Sequence, residues 1–316
     1  MLDVVTFGET MVMMNPEESG SLKYADRFSR HLGGTESNVA IGLARLGLRA
    51  GWISRLGQDP FGDYVEAFIR GEGVDVSQVR RDDIGPTGLM IKERFELGQT
   101  RVYYYRKGSA ASRLGPEDLD EAYIRRARHL HLTGITPALS DACRAAVYRG
   151  IELARRGGLT ITFDPNLRLK LWSADEMRPI ILDIVSRVDV VLPGLGEGEI
   201  LFETDDPDEI ITRFLGLGPN VVVLKTGADG AILGTPAERI HVPGIQLERV
   251  VDPVGAGDGF AAGFIAGQLK GLDLCESVEL ANAVGAFATT VRGDVEGLPT
   301  WDELQQFLGH RENIER

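Results

Sequence analysis

The residues best suited to chemistry form the run DPVGAGD at positions 252–258, ahead of a stretch rich in glycine and alanine. Gly255 and Gly257 leave the backbone bare where a helix starts, and the free amides and dipole of a helix N-terminus bind anions. Asp258 would repel an anion there, unless it is a base that activates a hydroxyl beside a transferring phosphoryl group. The alternative is that Asp258 caps the helix while the glycines permit tight packing.

Three other runs combine glycine, polar side chains and predicted strand ends. GGTESNVA at 33–40 precedes a helical pattern, whereas DPNLR at 164–168 and KTGADG at 225–230 each follow a buried apolar run. We place each of them at the carboxyl end of a strand, which is where open α/β sheets bind ligands. The sequence therefore predicts one ligand-binding edge built from distant segments.

Two common nucleotide signatures are absent from the sequence. No G-x-x-x-x-G-K-[ST] run occurs, which excludes a P-loop protein. The G-x-G-x-x-G fingerprint also fails, since Phe260 stands at its last position after Gly255 and Gly257. An oxidoreductase that uses a nicotinamide cofactor is therefore disfavoured.

The elements that must position these motifs alternate along the chain. Short, continuous apolar runs are typical of strands buried on both faces of a parallel sheet, and amphipathic segments separate them. The predicted strands are Val4–Phe7, Gly51–Ser54, Leu130–Thr133, Leu159–Phe163, Val188–Leu192 and Val221–Leu224, and the predicted helices are Ser37–Leu46, Glu117–Arg128, Leu139–Arg156, Asp175–Ser186 and Asp206–Leu215. This order predicts an α/β fold with a doubly wound, mostly parallel sheet flanked by helices.

Two stretches lack a helical period. We predict a β-hairpin from Leu89–Phe95 and Arg101–Arg106, with a turn around residues 97–99. Together with the segment before residue 32 it could form a small sheet that serves as a lid. The expected organisation is one domain over residues 1–316, with a β lid built from about 9–32 and 87–112; the alternative is a surface hairpin without a role.

Composition and charge limit the class of protein. Of 316 residues 43% are hydrophobic and 26% charged, and the net charge is −13, which is typical of a globular chain without attraction for nucleic acid or anionic membranes. No apolar run is long enough to span a membrane. The N-terminal segment does not resemble a secretory signal, and two cysteines without a C-x-x-C spacing favour a reducing, cytoplasmic location.

In order and spacing, the glycine-pair motif at 33–40 and the G-A-G-D motif at 255–258 resemble the two signatures of the ribokinase-like (PfkB) carbohydrate kinases, and the similarity extends over essentially the whole chain. The resemblance implies that Asp258 is the base and that the amides of Gly255, Ala256 and Gly257 hold the charge on the γ-phosphate. It also implies that ATP lies between Lys225 and Asn282, where Thr226, Gly227 and Gly230 line the nucleotide site.

The resemblance also implies a magnesium ion, whose charge phosphoryl transfer from ATP requires. The magnesium motif of the family is Asn-x-x-Glu, and the matching run here is GLGE at 194–197, in which Glu197 is present and the Asn is replaced by Gly194. Asn166 is expected to share the task.

The hairpin suggests the substrate class. On a strand, Tyr104 and Arg106 share one face, and the Arg106 fork suits a carboxylate. Arg168 supplies a second cation, so an acidic sugar is favoured over a neutral one. The YYYR run at 103–106 and the run at 192–197 resemble the 2-keto-3-deoxygluconate kinases of the family.

In those kinases the positions matching Gly34, Tyr104, Arg106 and Arg168 bind the sugar acid, and Leu89 lies near another contacting position. Thr35, Glu36, Ser37 and Asn38 of the glycine-pair motif complete the predicted substrate side.

Alternatives stay open at this stage. A neutral-sugar kinase of the fructokinase or ribokinase type, or a non-catalytic sugar-acid sensor, would share most of these motifs. Tyr103 and Tyr105 could instead form a dimer interface at the lid, and we expect a homo-oligomer. His129 and His131 are expected to be core residues rather than metal ligands, and Asp294 is either a site or a turn residue.

Overall fold

The computed structural model describes residues 1–95 and 100–309. The turn predicted around residues 97–99 and most of the C-terminal tail lie outside these residues. The strands are Val4–Phe7 (β1), Met11–Pro16 (β2), Phe28–Gly33 (β3), Ala50–Gly57 (β4), Val79–Asp82 (β5), Leu89–Arg94 (β6), Thr100–Tyr105 (β7), His129–Thr133 (β8), Thr160–Asp164 (β9), Val190–Val191 (β10), Val221–Lys225 (β11), Gly230–Gly234 (β12) and Arg239–Pro243 (β13).

The helices alternate with the strands of the larger sheet. They are Thr35–Arg45 (α1), Pro60–Gly71 (α2), Glu121–Ile124 (α3), Thr136–Leu139 (α4), Asp141–Gly157 (α5), Ala174–Val185 (α6), Leu195–Phe202 (α7), Pro207–Leu217 (α8), Ala256–Lys270 (α9), Leu274–Ala288 (α10) and Trp301–Phe307 (α11). No helix among the described residues has the length and apolar character needed to cross a membrane.

The larger sheet has nine strands in the order β13-β12-β11-β10-β9-β8-β1-β4-β5. Its pairs are parallel except for β11–β12 and β12–β13, which are antiparallel. One apolar cluster packs α1, α9 and α10 on one face, and a second packs α5, α6 and α8 on the other. The predicted α/β class with a mostly parallel sheet is therefore confirmed.

The second sheet has four strands in the order β3-β2-β6-β7. The pairs β2–β3 and β6–β7 are antiparallel, whereas β2–β6 is parallel. The predicted hairpin is β6–β7, and its partner strands come from the N-terminal stretch that lacks a helical period. Its service as a lid stays a proposal.

The helix predicted over Glu117–Arg128 is wrong in its extent. A 3₁₀ turn covers Pro116–Asp118 and only Glu121–Ile124 is α-helical. Asp120 explains the break, because its extended backbone and its carboxylate, which accepts the Ala122 amide at 2.8 Å, start a new helix there.

The helix predicted over Leu139–Arg156 also divides, at Ser140. The Ser140 backbone is extended, and its hydroxyl caps the second helix by accepting the Cys143 amide at 3.0 Å. Gly47 and Gly158 follow α1 and α5 with φ +86° and +70°, the left-handed conformation in which glycine commonly ends a helix.

Candidate active site

The anion site lies at the N-terminus of α9. Gly255 is the N-cap with φ +82°, and a Cβ there would lie 2.4 Å from the Asp294 carbonyl oxygen, so only glycine fits without strain. The Gly259 amide donates to the Gly255 carbonyl at 2.8 Å. The Gly257 amide precedes that bond and has no partner within the helix, so it is available to an anion, whereas the Ala256 amide makes a long hydrogen bond of 3.4 Å to the Pro253 carbonyl.

Asp258 does not cap this helix. Its carboxylate instead accepts a hydrogen bond of 2.7 Å from the Asn38 side-chain amide, and the residue is 9% exposed. Burial raises the pKa of Asp258 to about 8 against the effect of that hydrogen bond, and the carboxylates of Asp294 and Asp164 add to the rise, whereas Arg168 opposes it. The capping alternative is therefore wrong, and a buried acid with a raised pKa lies beside the anion site.

A second charged group lies beside this site. It consists of Asp164 at the end of β9, Lys225 at the end of β11 and Glu197 in the first turn of α7. The Lys225 ammonium donates to Asp164 at 2.7 Å. Burial would lower the pKa of Lys225, but the Asp164 and Glu197 carboxylates outweigh it and the pKa is raised. Burial and the Asp164 carboxylate raise the pKa of Glu197. A Cβ at Gly257 would lie 3.9 Å from Lys225 Nζ, which places this ammonium close to the anion site.

The oxygen atoms of this group suit magnesium. The Glu197 carboxylate accepts the amides of Gly194 and Leu167, each at 2.7 Å, so it is held rigidly and has lone pairs left. The Asn166 side-chain oxygen is buried without a hydrogen-bond partner, and its residue has φ +40°. Magnesium prefers such oxygen ligands and keeps several waters, so these residues fit the ion with water between. Among the described residues no group of three or more acidic, His or Cys side chains forms a ready metal cage.

A cleft of about 360 Å³ adjoins the anion site. The predicted residues Lys225, Gly227, Gly230, Gly257 and Asn282 line it, and the Asn282 side-chain amide donates to the carbonyls of Val242 and Pro243 at 3.2 and 3.1 Å. The remaining wall is mostly apolar and was not predicted; it includes Ile245, Leu247, Val250, Phe260 and Ala286. Thr226 does not line the cleft, since its backbone amide closes the turn onto Gly230.

Fewer side chains of the glycine-pair motif reach the other residues of the candidate site than predicted. Asn38 reaches Asp258, and Thr35 accepts the Asn166 side-chain amide at 3.3 Å. Ser37 is fully buried and donates to the Gly34 carbonyl at 2.9 Å, and Gly34 packs against the Glu9 carbonyl.

Glu36 does not face the site. Its side chain is fully buried and accepts the hydroxyls of Thr133 and Thr136 at 2.7 and 2.6 Å, and burial raises its pKa. The prediction that Glu36 contacts the substrate is therefore wrong.

The side chains on the small sheet divide between its two faces. Tyr104 pairs in register with Met90, and the Arg106 guanidinium lies 5.8 Å from the Tyr104 ring centre. Leu89 pairs with Tyr105 on the opposite face, where it packs against the core, so the structure does not bring Leu89 to the group around Tyr104.

Contrary to the expectation from the sequence, the Arg106 guanidinium is not fully available to a ligand. Its Nε donates a hydrogen bond of 2.6 Å to the Glu9 carboxylate and its Nη2 forms an ion pair of 2.5 Å with the same carboxylate, which leaves the Nη1 side of the guanidinium. Arg168 is exposed, donates to its neighbouring carbonyl, and lies close enough to lower the pKa of Asp258.

Asp294 belongs to the surroundings of the site. It is buried, its carbonyl packs on Gly255, and its carboxylate accepts the Lys92 ammonium of β6 at 3.2 Å. Burial raises the pKa of Asp294, whereas Lys92 opposes the rise. Sequence reasoning left its role open and missed Lys92, because nothing local to β6 shows what the strand packs against.

His129 and His131 are core residues, as predicted. Both are buried on β8, His129 lies 2.5 Å from the Thr162 hydroxyl, and burial lowers the pKa of each to about 3.

The sequence that builds this buried Asp, the glycine-rich helix N-terminus and the neighbouring cleft matches a known family over most of its length. A model described as the pfkB family of carbohydrate kinases matches residues 1–301. The chain belongs to this family.

Named relatives cover nearly all of the chain. It is 43% identical over 315 residues to a 2-dehydro-3-deoxygluconokinase of Bacillus subtilis (strain 168), with 99% of this chain and 97% of that protein covered. It is 38% identical to a 2-dehydro-3-deoxygluconokinase of Thermoproteus tenax, with 98% and 94% covered.

Solved structures share the fold. A PfkB protein from Polaromonas sp. JS666 has a TM-score of 0.89 at 43% identity, covering 96% of this chain and 99% of that one. A protein described as a ribokinase II of E. coli, in complex with ATP and Mg²⁺, has a TM-score of 0.91 at 28% identity, covering 98% and 100%.

Proposed function

We propose that the protein transfers the γ-phosphoryl group of ATP to the 6-hydroxyl of 2-keto-3-deoxygluconate (also called 2-dehydro-3-deoxygluconate), giving 2-keto-3-deoxy-6-phosphogluconate and ADP. The observation that carries the proposal is the position of Asp258, which is buried, is held by Asn38 and lies in the first turn of α9, beside the unpartnered amide of Gly257. The names of the two relatives supply the substrate.

Asp258 takes the proton of the acceptor hydroxyl as the oxygen forms its bond to the phosphorus and the bond to ADP breaks. A carboxyl with a pKa of about 8 is mostly protonated at neutral pH in the free protein, so nearby positive charge must favour its ionised form. Arg168 supplies part of that charge, and the amides at the start of α9 hold the negative charge that develops on the phosphoryl group.

Asp164, Asn166 and Glu197 would hold magnesium through their oxygens, and the ion, when bound, neutralises charge on the ATP phosphates. Lys225 lies between the Asp164 carboxylate and the anion site, where its ammonium can pair with a phosphate oxygen. The apolar wall of the cleft suits the flat face of adenine, with Asn282 at its edge.

An acidic substrate is supported by the charges on the sugar side. In a chain with a net charge of −13, Arg106 and Arg168 are cations beside the predicted sugar position. The pairing of Arg106 with Glu9 is the one observation that favours a neutral sugar, because it occupies two of the three guanidinium nitrogens. We retain the acid because the Nη1 side of Arg106 and the exposed Arg168 remain available.

The small sheet is proposed to cover the sugar, since Lys92 and Tyr104 extend from it toward the rest of the site. Tyr103 and Tyr105 are 42% and 62% exposed, and the association of two copies through this sheet stays a prediction.

The test of the sugar-acid site compares Arg168→Gln with Arg156→Gln, the same loss of charge at an exposed residue of α5. Arg168→Gln is expected to raise the KM for the sugar acid by about 10- to 100-fold and the KM for ATP by less than about threefold. Arg156→Gln should change both by less than about threefold. Equal effects of the two substitutions, or equal effects on both substrates, would contradict the carboxylate contact.

A further inference from the structure

Glu9 lies between β1 and β2, where the chain passes from the larger sheet to the smaller one. Its side chain has an exposed fraction of 0%. The carboxylate accepts hydrogen bonds from Arg106 Nε at 2.6 Å and from the Ser109 hydroxyl at 2.5 Å, and it forms an ion pair with Arg106 Nη2 at 2.5 Å. A buried carboxylate requires such partners, and here all of them come from the segment just after β7.

The backbone around Glu9 leaves its carboxylate little freedom. A Cβ at Gly88 would lie 2.7 Å from Glu9 Oε1, and a Cβ at Gly34 would lie 2.6 Å from the Glu9 carbonyl oxygen. Thr10, the next residue, donates to the Ser37 hydroxyl at 2.6 Å and so fixes the segment to α1. Glu9 is therefore a rigid anchor, held by the segment after β7 and by the contact of its neighbour Thr10 with α1.

This anchor sets the orientation of Arg106. Two of the three guanidinium nitrogens contact Glu9, and within the described residues Nη1 has no protein partner. Arg106 is 11% exposed, and its charge lies over the Tyr104 ring. The guanidinium can thus meet a ligand through its Nη1 side, and it cannot rotate without breaking a buried ion pair.

We infer that Glu9 is a positioning residue for acid recognition: it fixes Arg106 so that one side of the guanidinium receives the carboxylate of the substrate. This inference rests on the proposed function. It assigns substrate selection to a residue that touches no substrate, and Glu9 acts only through Arg106.

The test is a double-mutant cycle between Glu9→Gln and Arg106→Gln, read as KM for 2-keto-3-deoxygluconate, KM for ATP and kcat. Glu9→Gln removes the charge that holds the guanidinium, and we expect it to raise the KM for the sugar acid by about 10- to 100-fold while the KM for ATP changes less than about twofold. In the Arg106→Gln background the same substitution should lower kcat/KM by less than about twofold, because its effect passes through Arg106.

Thr10→Val is the matched control, since it removes a buried hydrogen bond from the same segment without contact to Arg106. It should leave the KM for the sugar acid within about twofold of wild type. Where Glu9→Gln does not fold, Glu9→Asp keeps the charge but withdraws it by one methylene, and it should give the same selective rise in KM to a smaller extent.

The inference is overturned by an equal loss in both backgrounds, by a parallel rise in the KM for ATP, or by an unchanged or lower KM for the sugar acid. Failure of the proposed function gives a different result, which is a wild-type protein that does not phosphorylate the sugar acid. If the wild type phosphorylates the sugar acid but the effects of the two substitutions are additive, the role of Glu9 is rejected and the proposed function stands.

Discussion

Asp258→Asn should make the protein more stable while it lowers activity. The pKa of Asp258 is about 8 in the folded chain against an ordinary 3.8, so the folded state binds its proton more tightly than the unfolded state. Ionisation of the buried carboxylate therefore costs stability as the pH rises above about 4, and the cost stops growing near pH 8. At about 1.4 kcal/mol per pH unit its upper limit is about 6 kcal/mol, and relaxation around the charge reduces the expected gain to ~2–4 kcal/mol.

Urea unfolding of the wild type and the variant between about pH 5 and pH 9 measures this gain. The variant's advantage in free energy of unfolding should increase up to pH 8 and then level off. Asp175→Asn, at an exposed position in the first turn of α6, is the control and should show no such rise. A constant difference for Asp258→Asn would refute the burial argument. Its kcat should fall by about 10²- to 10⁴-fold, and near-normal turnover would refute the role of base.

Three further results are expected. Lys92→Met leaves the buried Asp294 carboxylate unpaired and should lower the free energy of unfolding in urea by ~3–5 kcal/mol. The double variant with Asp294→Asn should recover most of this loss, and no recovery would contradict the pairing. Gly255→Ala should lower kcat at least about 10-fold, because its Cβ would clash with a carbonyl oxygen. Gly271→Ala is the control: it has the same left-handed backbone with nothing within 4 Å and should cost only ~1 kcal/mol of stability. Equal kcat values for the two variants would contradict the close packing at Gly255. The kcat/KM for the acceptor should increase with pH toward about 8 as Asp258 ionises, and a profile that falls over this range would exclude it as the base.

The larger sheet was predictable because its strands are buried on both faces. Val222, Val223 and Leu224 of β11 are all fully buried, and such a continuous apolar run has few alternatives. The antiparallel strands β12 and β13 were missed, since Gly230–Gly234 is short and its pairing depends on distant residues. The break at Asp120 was missed because a capping side chain inside a helical pattern gives only a weak signal.

The candidate site was predictable where backbone and charge dictate residue type. Gly255 needs its left-handed conformation, and Asp258 at an anion site has few roles other than a base. Glu36 was wrongly predicted to contact the substrate, because its position in a motif does not show which side of helix α1 faces the site. The pairing of Arg106 with Glu9 joins residues 97 positions apart and has no local signal.

The most direct test of the central claim is ADP release from Mg-ATP by the wild-type protein, with 2-keto-3-deoxygluconate, 5-dehydro-2-deoxygluconate, fructose and ribose offered separately. The structure-based account predicts the highest kcat/KM with 2-keto-3-deoxygluconate and little release with fructose or ribose. Activity on a neutral sugar alone would contradict the assignment of Arg106 and Arg168 to a substrate carboxylate, while the kinase family and Asp258 would stand.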